Sequence, residues 1–171
     1  MDAVIRFARR EDCFQIRKLI QELANFENMP EGPVIDAKKL EHDGFDKDKK
    51  PYKCLIAEEK ALPGIIIGYA IFNIGYSVRK GKYVYLEDIM VTEKYRGAGI
   101  GAKLLSKVCQ EAVIQNCAAV YFVVLDWNPA VEFYAHFQAR DITKRDNCHY
   151  YVIQKDKMIE NANKYCQETY L

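Results

Sequence analysis

Three strand-like runs in close succession, YKCLIAEE, IIIGYAIFNIGY and KYVYLEDIMV, constrain this chain more than any other feature. Only short turn signals, LPG and RKG, separate them, and neither leaves room for a crossover helix. The three runs are therefore predicted to form an antiparallel meander. Upstream, AVIRFA (Ala3–Ala8) alternates like a short strand. It leads into a helical face of Ile16, Leu19, Ile20, Leu23 and Ala24, predicted to be capped by Asp12 with Gln15 three residues on. A Pro/Gly break, MPEGP, precedes a short helix around Asp36–Asp43 that Gly44 is expected to end.

Downstream of the meander, Ile100, Leu104, Leu105, Val108 and Ala112 mark another helix. The continuous apolar run AAVYFVVL then predicts a buried central strand. A helix follows with Asn128 as cap and Pro129 as its first residue. CHYYVIQ reads as a last strand and Lys155–Gln167 as a C-terminal helix. The pattern is α/β: one domain over residues 1–171, with a mixed, mostly antiparallel sheet flanked by helices. A chain of 171 residues is long enough to bury such a core unaided.

Charge and cysteine usage narrow the function classes. Lys plus Arg number 25 against 24 acids, a net charge of +1, which gives no basic field for nucleic acid. The local DKDKK cluster (Asp46–Lys50) reads as a solvated loop. The six cysteines (13, 54, 109, 117, 148 and 166) make no CxxC and the three histidines no HExxH, so no metal is expected. Scattered thiols, an N-terminus without an apolar signal region, and a longest greasy run of only GIIIGYAIF predict a cytoplasmic protein without a membrane partner.

The loop YRGAGIG (Tyr95–Gly101), ahead of the second helix, suits a phosphate: glycines leave room, and backbone N–H groups converge at the helix start. A nucleotide P-loop fails, because counting from Gly97 puts Ala102 at its second glycine and Leu104 at its hydroxyl position. Gly97, Gly99 and Ala102 fit the dinucleotide spacing, but TEKYR separates the preceding strand from the first glycine. The remaining pattern is Arg-x-x-Gly-x-Gly, met by Arg96, Gly99 and Gly101 after a strand ending EDIMV.

That pattern resembles the pyrophosphate loop of the GNAT superfamily of N-acetyltransferases. The resemblance extends over nearly the whole chain through IRKLIQELANFE, DGF, YLEDIMV, YRGAGIG, VLDWN and FY. These segments are similar to the small-amine branch, which acetylates thialysine, spermidine or spermine; LANFE, YLEDI and VLDWN stand closer to the thialysine side. The resemblance implies acetyl-CoA as donor, held by Ile89, Met90, Val91, Arg96, Gly97, Ala98, Gly99, Ile100, Gly101 and Ala102. It adds Tyr121, Phe122, Val123, Asn128, Pro129, Ala130 and Val131 as the other wall of the cleft. Glu87 is implied as base and amine contact, Tyr134 as proton donor to the departing thiolate, and Phe26, Glu27 and Asp146 as further amine contacts. A homodimer acting on a small-molecule amine is the expected assembly.

Alternation along a strand places Asp88 on the face opposite Glu87. The family's FYxxxG has Gln138 where glycine is usual, so the following turn is expected to take a non-glycine geometry or shift register. Asp146 is expected in the loop before the last strand. A protein lysine or N-terminal acetyltransferase and a non-catalytic acyl-CoA module are the competing readings; the presence of both Glu87 and Tyr134 disfavours the second.

Overall fold

The computed structural model describes residues 2–46, 50–146 and 149–165. Two compact units divide at Asn128/Pro129. In the first, the sheet runs β1 (Ala3–Phe7), β2 (Lys53–Glu59), β3 (Ile66–Ser77), β4 (Gly81–Val91) and β5 (Val120–Tyr121), in that spatial order. β1 to β4 pair antiparallel, confirming the meander, and β5 lies parallel to β4. Helices α1 (Cys13–Phe26), α2 (Ala37–Phe45) and α3 (Ile100–Ile114) complete the unit.

The apolar face of α1 packs Cys13, Ile16, Leu19 and Ile20, with Leu40 of α2, on Cys54, Ile56, Tyr69, Ile71 and Met90 of the sheet. Leu55, Ala57, Phe72 and Leu86 alternate onto the other face and are almost fully buried. There α3, with Leu104, Leu105 and Val108 buried, contacts β1 through β4. The result is the expected α/β arrangement, a mixed, mostly antiparallel sheet with helices on both faces.

Two predicted helix ends differ. Asp12 makes no side-chain cap to α1. Its carboxylate accepts the Arg9 backbone N–H at 2.6 Å and the Arg6 guanidinium at 2.7 and 3.1 Å. A forked, charge-assisted pair outcompetes a single neutral N–H. Gln15 turns instead to the β2–β3 turn, donating to the Gly64 carbonyl at 2.8 Å and accepting the Ile66 N–H at 3.1 Å. Asp36 does cap α2, accepting the Lys39 N–H at 2.7 Å. Gly44, however, does not end α2, which continues to Phe45. The glycine is needed there for space, because a Cβ would sit 2.5 Å from the Tyr52 hydroxyl.

The largest correction concerns AAVYFVVL. Only β5 forms, paired as Val84↔Val120 and Tyr85↔Tyr121, and Val123 is 63% exposed. A run becomes a long central strand only with ladders on both edges. Among the described residues β5 has a strand neighbour on one side alone. CHYYVIQ supplies no second one: residues 149–154 carry no strand, and Cys148 lies outside the described residues.

The second unit holds α4 (Ala130–His136), α5 (Thr143–Asp146) and α6 (Lys155–Tyr165). The first of these starts one residue later than predicted, with Pro129 at the capping position. Asp146 ends α5 rather than lying in a loop. After α4 the chain keeps the left-handed turn that glycine would suit, with Gln138 at φ 58°. The Ala139 N–H reaches back to the Tyr134 carbonyl at 3.2 Å, closing the helix end. Residues 47–49, within the expected DKDKK loop, and Cys166 are also outside the described residues.

Candidate active site

The register between β3 and β4 decides where the carboxylates point. Gly68 to Ile71 pair with Val91 to Asp88, whereas Phe72 to Ser77 pair with Leu86 to Gly81. Glu87 is therefore an extra residue in β4, a bulge opposite the Ile71–Phe72 step. Strict alternation would put Asp88 on the buried face with Leu86. The bulge cancels that alternation, so Glu87 and Asp88 both open on one cavity, overturning the expectation of opposite faces.

That cavity has a volume of about 520 Å³. Ile20, Leu23 and Ala24 of α1, with Glu27 at its C-terminal cap, form one wall at helical spacing. Asp43, Lys39, Leu40 and Tyr52 contribute another side, and Ile71 and Asn73 of β3 the floor. A strap over residues 29–35 adds Met29, Gly32, Pro33, Val34 and Ile35 to the lining. Glu27 and Glu87, singled out in the sequence, are thus brought together. Asp88, Asp43, Tyr52 and Asn73 join them as lining residues that motif reading did not select.

Electrostatics follow from this crowding. Burial raises the Glu87 carboxyl above its ordinary pKa, and the neighbouring charge of Asp88 raises it further. Glu27 is raised by the same two causes in the same order. Asp88 is raised by burial, held back by the Tyr69 hydroxyl, which donates to it at 3.1 Å. Each group accepts a proton more readily than a solvated carboxylate does. Among the described residues Lys39 is the one cation lining the cavity, and it pairs with Asp43.

Where β4 passes Tyr85 it parts from β5. Ile89, Met90 and Val91 pair with β3, and their other edge has no strand neighbour among the described residues. Arg96 donates from Nε to the Val91 carbonyl at 2.9 Å, tying the glycine loop to the end of β4. Its guanidinium lies 5.0 Å over the Phe26 ring, which in turn packs 5.9 Å from Trp127. Phe26 thus links α1 to the loop.

Gly97 and Gly99 adopt φ of 76° and 74°, with open space where a Cβ would stand. The first bond of α3 runs from the Lys103 N–H to the Gly99 carbonyl. The N–H groups of Ile100, Gly101 and Ala102 therefore precede the helix ladder and face outward from its positive end. Left-handed glycines, free N–H groups and an adjacent arginine fit a diphosphate. Tyr121 packs edge-to-face on Tyr83 at 5.1 Å, and Phe122 and Val123 follow it; Asn128 is buried.

In the second unit, Tyr134 is buried in α4, its ring 5.2 Å from Phe133. Pro129, Ala130 and Val131 form the start of that helix. The Asp146 carboxylate accepts two N–H bonds from Arg145, at 2.5 and 2.7 Å. Among the described residues no group of three potential ligands is placed to hold a metal, and no helix is long and apolar enough to cross a membrane.

A glycine loop with the geometry to fit a diphosphate, together with a cavity of crowded carboxylates, would suit an enzyme that moves a group from a nucleotide-linked carrier to a cationic acceptor. The profile of the acetyltransferase (GNAT) family matches residues 17–139, and the chain belongs to that family; it is an N-acetyltransferase. It is 37% identical over 167 residues to thialysine N-epsilon-acetyltransferase of Bos taurus, covering 94% of this chain and 98% of that one. The Homo sapiens spermidine/spermine N(1)-acetyltransferase-like protein 1 is 35% identical over 163 residues, 92% of this chain and 23% of that protein. Among solved structures, an integron cassette protein of V. cholerae shares the fold at a TM-score of 0.73 and 22% identity, covering 95% of this chain and 98% of that one.

Proposed function

We propose that this chain transfers the acetyl group of acetyl-CoA directly to a terminal primary amine of a small, multiply charged substrate, an amino acid of the thialysine kind or a di- or polyamine. The observation that carries the reading is the β4 bulge, which turns Glu87 and Asp88 together into the cavity that Glu27 also lines. The names of the relatives at 37% and 35% identity agree with it. The reading treats residues 1–171 as one acetyltransferase domain, working as a cytoplasmic homodimer on small molecules.

The acceptor must be a free amine, yet an ordinary alkylammonium has a pKa of about 10.4, so at pH 7 the neutral form lies roughly 4–5 kcal/mol uphill. Carboxylates draw the cation in but also favour its protonated form, so attraction alone does not prepare the nucleophile. Glu87 resolves this conflict. It sits at the bulge, open to the cavity, and its raised pKa fits it to take the ammonium proton, directly or through a water. Asp88, fixed by Tyr69, supplies the charge that helps raise Glu87.

Acetyl-CoA, when bound, supplies an acyl group activated as a thioester. Arg96 and the N–H groups from Gly97 through Ala102 would hold its diphosphate, and the open edge of Ile89, Met90 and Val91 would hold the pantetheine arm and polarise the carbonyl. Tyr134 would serve as the proton donor to the thiolate as the carbon–sulfur bond breaks, and the second proton that the nitrogen sheds on becoming an amide would restore the phenol. Direct transfer agrees with the state of the two buried thiols among the described residues. Cys13 is buried and pushed up to about 11, and burial pushes Cys54 higher still, so neither is a nucleophile at neutral pH.

The test is a turnover screen with acetyl-CoA across thialysine, lysine, spermidine, spermine, putrescine and a histone-tail peptide. Turnover confined to the peptide would overturn the reading. In wild-type enzyme the acid limb of kcat/KM for the best amine should lie above the ordinary glutamate range and disappear in Glu87→Gln.

A further inference from the structure

We infer that Arg17, on the flank of α1, is a positioning residue that sets amine affinity and amine size selectivity by lacing the Met29–Ile35 strap into the wall of the cavity. This rests on the reading of that cavity as the amine site. The strap contains Met29, Gly32, Pro33, Val34 and Ile35 as lining residues, yet it belongs to no helix or strand. Its apolar side chains do little to anchor it: Val34 is 91% exposed and Met29 50%. Pro30 and Pro33 lack N–H groups, which removes two donors that could have tied the backbone down.

The strap's carbonyls are fastened by α1 instead. Arg17 Nε donates to the Ile35 carbonyl at 2.6 Å and Nη2 to the Pro33 carbonyl at 3.1 Å. Gln21, one turn on, donates from Nε2 to the Pro30 carbonyl at 2.8 Å, and its Oε1 accepts from Arg17 Nη2 at 3.0 Å. The planar guanidinium fork matches two carbonyls two residues apart, a geometry that a single ammonium cannot reproduce. Spacing explains why the contact reaches the site. Ile20, Ala24 and Glu27 face the cavity, and Arg17 and Gln21 lie on the adjacent stripe of the same helix. One helix therefore supplies lining residues of its own and also fastens the strap that lines the same cavity.

The experiment compares Arg17→Ala, Arg17→Lys and Gln21→Ala with wild type in steady-state acetylation, using a linear diamine and a branched diamine of similar charge. Arg17→Ala should raise KM for the linear amine about 10-fold, the loss of about one charge-assisted hydrogen bond. The KM for acetyl-CoA should stay unchanged, and the preference for linear over branched amine should narrow. Arg17→Lys should recover part of the loss, and Gln21→Ala should show a smaller change of the same kind. A purely structural role would lower the active fraction, reducing apparent kcat while leaving both KM values and the size preference in place; that outcome overturns the proposal. Glu27→Gln separates the two layers. If it raises the amine KM while Arg17→Ala does not, the strap inference fails alone; if neither moves it, the cavity is not the amine site and both fail.

Discussion

Gly44→Ala opposes two effects whose sizes the structure sets. Within a helix, alanine is preferred over glycine by about 0.5–1 kcal/mol, so helix propensity alone predicts stabilisation. The new Cβ, however, would stand 2.5 Å from the Tyr52 hydroxyl oxygen and 2.8 Å from Cζ. Tyr52 packs against the core cluster, and its hydroxyl donates to the Leu40 carbonyl at 2.6 Å. Burial also drives its pKa well up, so it remains a donor at any working pH. Displacing the ring costs the hydrogen bond and overpacks the site, roughly 1–3 kcal/mol each. The expected net loss is about 2–4 kcal/mol in urea unfolding at pH 7. Because Tyr52 lines the cavity, the amine KM should rise as well. Tyr52→Leu removes both colliding atoms, and in that background Gly44→Ala should be neutral or stabilising. A stabilised single mutant, or an equal loss in both backgrounds, would refute the reasoning.

Glu27 carries a pKa raised by burial and by Asp88, so its folded value exceeds its unfolded one. Stability from such a group is present below the unfolded pKa and lost as pH rises through the folded value. Glu27→Gln should therefore raise Tm at pH 7, with the gain vanishing by about pH 4 or below; a pH-independent gain would contradict this. Tyr134→Phe should lower kcat by about 10²–10⁴-fold while calorimetry shows acetyl-CoA affinity intact; full activity would remove the acid assignment. Gln138→Gly should stabilise the protein by about 0.5–1 kcal/mol in thermal or urea unfolding, because the φ of 58° there is one that glycine adopts without a steric penalty. A loss of stability would mean that the Gln138 side chain outweighs the strain.

The elements set by local pattern were legible. The meander followed from turn residues, α1 and α3 from their apolar periodicity, and the tight loop ahead of α3 from its glycine spacing, with Gly97 and Gly99 in the left-handed conformation that glycine favours. Features set by competition between distant partners were not. Asp12 reads as a helix cap until Arg6, on a strand, offers it a better partner. Gly44 reads as a helix stop until Tyr52, from a later segment, occupies the space above it. Hydrophobicity showed that AAVYFVVL is strand material, but the length of a strand depends on neighbours that its own sequence does not contain. At the site, Glu87 could be singled out because its motif is local. Asp88 could not, since its direction depends on one shift of register against β3.

That shift means that the charge of the cavity is written partly in a distance along the chain. Removing a single residue at the Glu87 bulge would restore continuous alternation between Tyr83 and Met90, leaving one acid in the doublet and no bulge to turn it. Point substitutions can tune such a pocket, whereas loss of one residue from the doublet in β4 removes one of its four lining carboxylates and the bulge together.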